Sequence, residues 1–172
     1  WAPDGTLVDL ADYPMLRQHL ETAGDQLRGR HTAKKSPANW HRTIDKVNHA
    51  IIDQPKLLFR DLGAVANPVL EPGGYYPHHN LYFLVSDTWD LEVLGGLLLS
   101  RIAQAFIEAY GVRMRGGTLR FQAQYLRKIR VPAPETIPTE LSDRLREAFR
   151  AYDRDEATRA AEAAYGLPEG NL

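Results

Sequence analysis

A mixed α/β (α+β) fold is what this sequence predicts, a small mixed sheet with one long central helix, an N-terminal helix and a C-terminal helical tail, and three observations predict it. Leu91, Leu94, Leu98, Ile102, Ala105, Phe106 and Ala109 hold helical register through a long apolar stretch. Two short apolar runs, Lys56-Leu57-Leu58-Phe59 and Leu81-Tyr82-Phe83-Leu84-Val85, have strand length and composition. The final third of the chain carries two further amphipathic helical patterns with start and stop residues.

Taken in order, Pro14 suits the first turn of a helix, and Met15 or Leu16, Leu20, Ala23 and Leu27 recur at three- and four-residue steps, so one helix through Leu27 with one buried face is expected. Gly29 to Asn39 holds two basic pairs and little that could pack, which reads as a surface loop. The two strands should pair in one sheet, with Glu71-Pro72-Gly73-Gly74 as a turn between them. Asp87 or Thr88 is positioned to cap the central helix, Gly111 to end it, and Gly116-Gly117 to make a turn. The pair Gly95-Gly96 inside that helix is explained by close helix packing. Leu119 to Ile129 alternates loosely before the extended exit Val131-Pro132-Ala133-Pro134. Thr139 then caps a helix with Leu141, Leu145, Ala148, Phe149 and Tyr152 on one face, and Asp155 caps another that Gly166 terminates. The expected organisation is a core over residues 1–134 and a helical tail over 135–172 that packs back on the same domain.

With 172 residues, 44% apolar and 25% charged, the chain can bury one sizeable core. No apolar run has membrane-spanning length and no secretion signal opens the chain, so a cytoplasmic protein with no membrane partner is expected. The absence of cysteine excludes a disulfide framework, a zinc ribbon and a thiol nucleophile. The start at Trp1, already helix-like, is what a piece of a longer protein would show.

Net charge is −1, but it is unevenly distributed. Residues 28–60 sum to +6 and residues 101–134 to +6, while residues 61–100 contain no Lys or Arg and sum to −5. Two basic blocks between acidic ones can form a one-sided face for a polyanion, because phosphate contact depends on the local field and not the total. The blander alternative is solvated charges paired with nearby acids. A catalytic engine is not visible: the chain has no phosphate-binding glycine loop, dinucleotide fingerprint, nucleophile elbow or zinc-protease helix. His78 and His79, on what reads as an extended segment, should point to opposite faces, so no metal site is expected.

The residues suited to touching DNA fall in three places. Lys34, Lys35, Trp40, His41 and Arg42 lie in and after the first basic loop. Tyr76, His78 and Asn80 belong to the polar-aromatic stretch Gly73 to Asn80, and Arg113, Arg115, Arg120 and Gln122 follow the long helix. Arginine can grip the two major-groove acceptors of guanine, Gln or Asn can pair with adenine, and arginines on phosphates fix register. A competing reading makes the leucine-rich helix and the Ala-rich C-terminal helix a docking surface for a partner subunit.

Four stretches together carry a resemblance. They are Gly74-Tyr75-Tyr76-Pro77-His78-His79-Asn80-Leu81-Tyr82, Leu91-Glu92-Val93-Leu94-Gly95-Gly96-Leu97-Leu98-Leu99-Ser100, Met114 to Leu126 through Arg115-Gly116-Gly117-Thr118-Leu119-Arg120-Phe121, and Ile129-Arg130-Val131-Pro132. With the Tyr13-Pro14 to Leu20 helix, Arg30 and the closing Ala164-Tyr165-Gly166-Leu167, the chain resembles the TaqI-like C-terminal specificity domain of adenine-specific DNA methyltransferases of restriction-modification systems. The resemblance implies a target-recognition domain that reads double-stranded DNA and is not itself catalytic. It also implies a catalytic methyltransferase domain of the same polypeptide before residue 1, which binds S-adenosylmethionine and holds a flipped adenine, and in some systems a fused nuclease. No cofactor is expected in this chain itself.

Overall fold

The computed structural model describes residues 1–170, and the chain divides into two units, Trp1–Asp53 and a second from Gln54 onward. Asn171 and Leu172, the end of the expected tail, lie outside the described residues.

In the first unit the single helix expected through Leu27 is two short ones, α1 (Pro14–Glu21) and α2 (Gly24–Gly29). The Thr22 hydroxyl turns back to donate to the His19 carbonyl at 2.6 Å, an alternative bond that ends the helical ladder there. No residue of α1 is buried and Met15 is 77% exposed, so its apolar spacing does not mark a core face. The stretch expected as a loop holds α3 (His31–Lys35) and a 3₁₀ turn at Pro37–Asn39. Polar bonds add to the burial of Leu10 and Ala33 in organising this unit. The Arg30 guanidinium donates to the carbonyls of Leu27, Trp40 and Arg42 at 3.1, 2.8 and 3.2 Å.

The second unit is built on β1 (Lys56–Arg60), β2 (Leu62–Gly63), β3 (Val69–Glu71), β4 (Leu81–Leu84) and β5 (Leu119–Arg120). β1 lies between β3 and β4, β2 pairs with β5, and every pairing is antiparallel rather than mixed. Register puts Leu57, Leu70 and Leu84 on one face with Phe59 and Tyr82, where they pack on Leu91, Leu94, Leu98 and Phe149. The opposite face carries Leu58 between Val69 and Phe83.

The central helix breaks in two: α4 (Leu91–Leu99) and α5 (Arg101–Tyr110) meet at 65°. Asp90, not Asp87 or Thr88, caps α4 through its carboxylate on the amides of Glu92 and Val93. At the break the Ser100 hydroxyl caps α5, and the Arg101 amide donates to Thr158 Oγ1 at 3.1 Å. α6 (Ala123–Leu126) is a single turn, and α7 (Thr139–Ala151) and α8 (Arg154–Ala164) form the C-terminal pair, α8 being capped by Asp153.

Gly95 and Gly96 are the close-packing sites that their spacing indicates. A methyl group on Gly95 would sit 2.6 Å from the Phe149 ring, and one on Gly96 would sit 2.4 Å from the Leu145 carbonyl oxygen. The small residues of α8 complete this packing, with Ala157, Ala160 and Ala161 fully buried. Tyr165, just past α8, donates its hydroxyl to the Arg130 carbonyl, and burial pushes its phenol up to about 12.

Gly96→Ala should lower stability by about 1–3 kcal/mol as α7 is forced away, measured as a fall in the urea midpoint. Gly29→Ala, a helical position with nothing within 4 Å of an added methyl group, should not lower it. Tyr165→Phe should cost about 0.5–1.5 kcal/mol through the lost bond to Arg130. Equal midpoints for Tyr165→Phe and wild type would show that this bond contributes nothing.

Candidate nucleic-acid interface

The loop between β3 and β4 starts from a buried ion pair. Lys56 and Glu71 face each other across β1 and β3, Lys56 is fully buried, and its ammonium donates to the Glu71 carboxylate. The same ammonium donates to the Tyr75 carbonyl at 3.3 Å, and the other Glu71 oxygen accepts from the Gly73 amide at 2.9 Å. A buried carboxylate needs such partners, and here satisfying it also sets the path of residues 73–75. The bond from Lys56 holds the Glu71 carboxyl below its usual range against the opposing effect of burial. Lys56 therefore belongs to the interior and adds nothing to an outward basic face.

Asp61 joins the rest of the candidate site. Its amide donates to the Asn80 carbonyl at 3.0 Å, and its carbonyl accepts from the Phe121 amide at 2.8 Å. Its carboxylate accepts from Arg120 Nη2 at 2.9 Å, a pairing that raises the guanidinium pKa further. The loop bearing His78 and Asn80 and the segment bearing Arg120 and Gln122 are thus tied at one residue. Leu62 also pairs with Arg120 through β2 and β5. α6 stands off from β4 across a cleft of about 360 Å³ lined by Phe59, Tyr82, Leu84, Leu98, Leu126 and Ile129.

Each residue chosen from the sequence has a definite place. Lys34 and Lys35 are exposed in the last turn of α3. Trp40 is half-buried beneath the Arg28 guanidinium, which lies 4.1 Å from its ring and is also bonded by Glu21. His41 Nε2 bonds the Val8 carbonyl at 3.0 Å, and Arg42 is half-buried with its Nε enclosed and without a hydrogen-bond partner. Tyr76, His78 and Asn80 are exposed. Arg113 pairs with Glu108 at 3.0 Å, and Gln122 accepts from Gln124 at 3.2 Å. Arg115 stands exposed on the hairpin whose turn, Gly116 and Gly117, has φ of +92 and +81° and so requires glycine. The five residues of the first unit and the seven of the second lie in separate units.

His78 and His79 depart from the extended geometry expected of them. The Leu81 amide donates to the His78 carbonyl at 2.8 Å, closing a turn that brings the two rings to 4.0 Å between centroids. Among the described residues no group of three His, Asp or Glu is placed to hold a metal ion.

The structure adds residues that sequence reasoning does not single out. Arg60, Arg127, Lys128 and Arg130 are exposed and, like Arg115, have no acidic partner among the described residues. Their signal is present in the block charges but cannot be assigned there, because ion pairing removes Arg101, Arg113 and Arg120 from the same blocks through acids at Asp155, Glu108 and Asp61.

No family model matches the chain. It is similar to Type II methyltransferases. It is 49% identical over 166 residues to M.XhoI of Xanthomonas vasicola, covering 96% of this chain and 30% of that protein. It is 48% identical over 167 residues to M.PaeR7I of Pseudomonas aeruginosa, covering 97% of this chain and 29% of the relative. M.BstVI of Geobacillus stearothermophilus is 42% identical over 142 residues, 83% of this chain and 25% of its own. The chain therefore spans under a third of the length of these relatives.

Because the Glu71 carboxyl is held low, its contribution to stability is complete above its ordinary value of 4.5 and is lost as pH falls through the depressed folded value. The melting temperature of wild type should fall across that acid range more steeply than that of Glu71→Gln, which is less stable at neutral pH. Parallel curves for the two proteins would show that Glu71 does not carry this dependence.

Proposed function

We propose that this chain is the DNA-recognition part of a longer adenine-specific Type II methyltransferase in a restriction-modification system, a specificity domain of the TaqI-like kind. The observation that carries the reading is the joining at Asp61 of two segments rich in hydrogen-bonding side chains, His78 and Asn80 on one and Arg120 and Gln122 on the other. Exposed cations without acidic partners, Arg60, Arg115, Arg127, Lys128 and Arg130, lie on the same stretches of chain or next to them. Duplex DNA is recognised by this division of labour, cations on phosphates and hydrogen-bonding edges on bases. The similarity to Type II methyltransferases over nearly the whole chain supports it.

In this reading Lys34 and Lys35 add phosphate contacts from the first unit, while Trp40 and His41 serve its internal packing. Tyr76 and Arg113 flank the two reading segments. S-adenosylmethionine, which supplies the methyl group, is bound by the remainder of the polypeptide. No single helix among the described residues is long and apolar enough to cross a membrane. Docking of a partner through the C-terminal helix has less support, because its alanine face is buried inside the fold.

Binding to random duplex DNA at a series of salt concentrations tests the proposal, with the chain alone and joined to the methyltransferase portion of M.PaeR7I. Affinity should fall steeply with salt, and Arg60→Ala or Arg115→Ala should each flatten the log-log slope by about one. Binding that is absent in both forms, or insensitive to salt, would sink the proposal.

A further inference from the structure

We infer that Arg120 reads a guanine in the major groove and that Asp61 is the positioning residue that aims it, while the exposed cations without acidic partners hold the phosphates. This rests on the DNA-recognition reading above and assigns it a specificity-determining pair.

Three properties set Arg120 apart. Its charge is balanced by a carboxylate 2.9 Å away, and a neutralised guanidinium gains little from a phosphate, which the same carboxylate repels. Its orientation is fixed from behind: Asp61 is held by two main-chain bonds, and Arg120 itself lies in β5 with its amide donating to the Val112 carbonyl at 3.3 Å. Its side chain remains 36% exposed, with Nε buried and Nη2 engaged at Asp61, so what faces outward is the Nη1 and Nη2 end. With one Nη2 hydrogen given to Asp61, that end keeps a second N–H on Nη2 beside those of Nη1, a pair that can match two adjacent acceptors. In duplex DNA the guanine N7 and O6 in the major groove are such a pair.

Arg113 does not meet the same conditions. Its partner Glu108 is itself shared with Gln104 at 2.9 Å, and the two side chains are 60% and 42% exposed, an open surface pair with no fixed direction. Arg115 has exposure without a carboxylate partner, which suits a phosphate contact. The glycine turn beside it leaves the backbone bare, with nothing within 4 Å of a methyl group added at either glycine. Reading and clamping are thereby separated along one hairpin and strand.

The experiment is selection of duplexes from a randomised pool by the chain, followed by sequencing and salt titration, for wild type, Asp61→Asn, Arg120→Lys, Arg120→Ala and Arg115→Ala. Helical circular dichroism checks that each variant is folded. Wild type should prefer guanine at one position by roughly 5- to 150-fold. Arg120→Ala should lose that preference, while Arg120→Lys should weaken it and keep affinity for random duplex, since an ammonium can reach both acceptors but lacks the planar, pre-aimed fork. Asp61→Asn should also weaken the preference, and its salt slope should steepen by up to about one because the freed arginine now counts as a cation. Arg115→Ala should keep the preference and flatten the slope. The assignment is overturned if Arg120→Ala flattens the slope and leaves base preference intact, or if Asp61→Asn weakens all duplexes equally. A wild-type chain that binds DNA with a normal salt slope but selects no sequence overturns the assignment while sparing the phosphate contacts. Absence of DNA binding both by the chain alone and by the chain joined to the methyltransferase portion of M.PaeR7I removes the parent reading as well.

Discussion

The second unit depends on how closely α7 can approach α4. Three short strands cannot bury their own apolar face, and α4 is the element they bury it against. The other side of α4 must then be covered too, since eight of its nine residues are buried. Gly95 and Gly96 make this possible by presenting bare backbone to Phe149 and Leu145. Side chains at those positions would separate the layers and open the core that holds β1 in place. The strand that carries Lys56, Phe59 and Arg60 into the candidate site is thus set, two layers away, by two hydrogen atoms where methyl groups would otherwise be.

Electrostatics in this chain does two kinds of work. Arg146 and Arg150 bind Asp90 and Glu92 at the first turn of α4, and Arg144 binds Glu156, so the arginines of the C-terminal pair act as ties between helices. Arg154 is half-buried and donates to the Ala66 carbonyl, and its burial lowers its pKa. The acids of residues 61–100 are largely engaged in these ties and in the bonds of Asp61 and Glu71. In the second unit the exposed cations left over gather between Arg115 and Arg130 and at Arg60. An overall charge near zero is therefore compatible with a strongly basic local surface.

What can be read from the sequence follows physical range. β1 and β4 are legible because their apolar runs are local, and Gly95-Gly96 because a glycine pair inside a leucine helix weakens the helix unless something packs against it. β3 is not, since three residues after Pro68 carry no period. The break at Ser100 is hidden because the leucine and isoleucine spacing runs through it without a fault; the amide it frees is taken by Thr158, 57 residues further on. The first unit misleads because its helices show apolar spacing, while Arg30, His41 and His49 bond it together through carbonyls. In the candidate site the basic blocks are visible, but Arg120 finds its acid 59 residues back, a distance no charge count can see.

The bonds that align the two segments at Asp61 are made by amide and carbonyl groups, to Asn80 and Phe121, and so do not depend on which side chains those segments display. A chain built this way can exchange His78, Asn80 or Gln122 for other residues and keep the same frame. Substitution at those positions is thereby uncoupled from folding, and under the proposed reading a change of base preference carries no cost in stability.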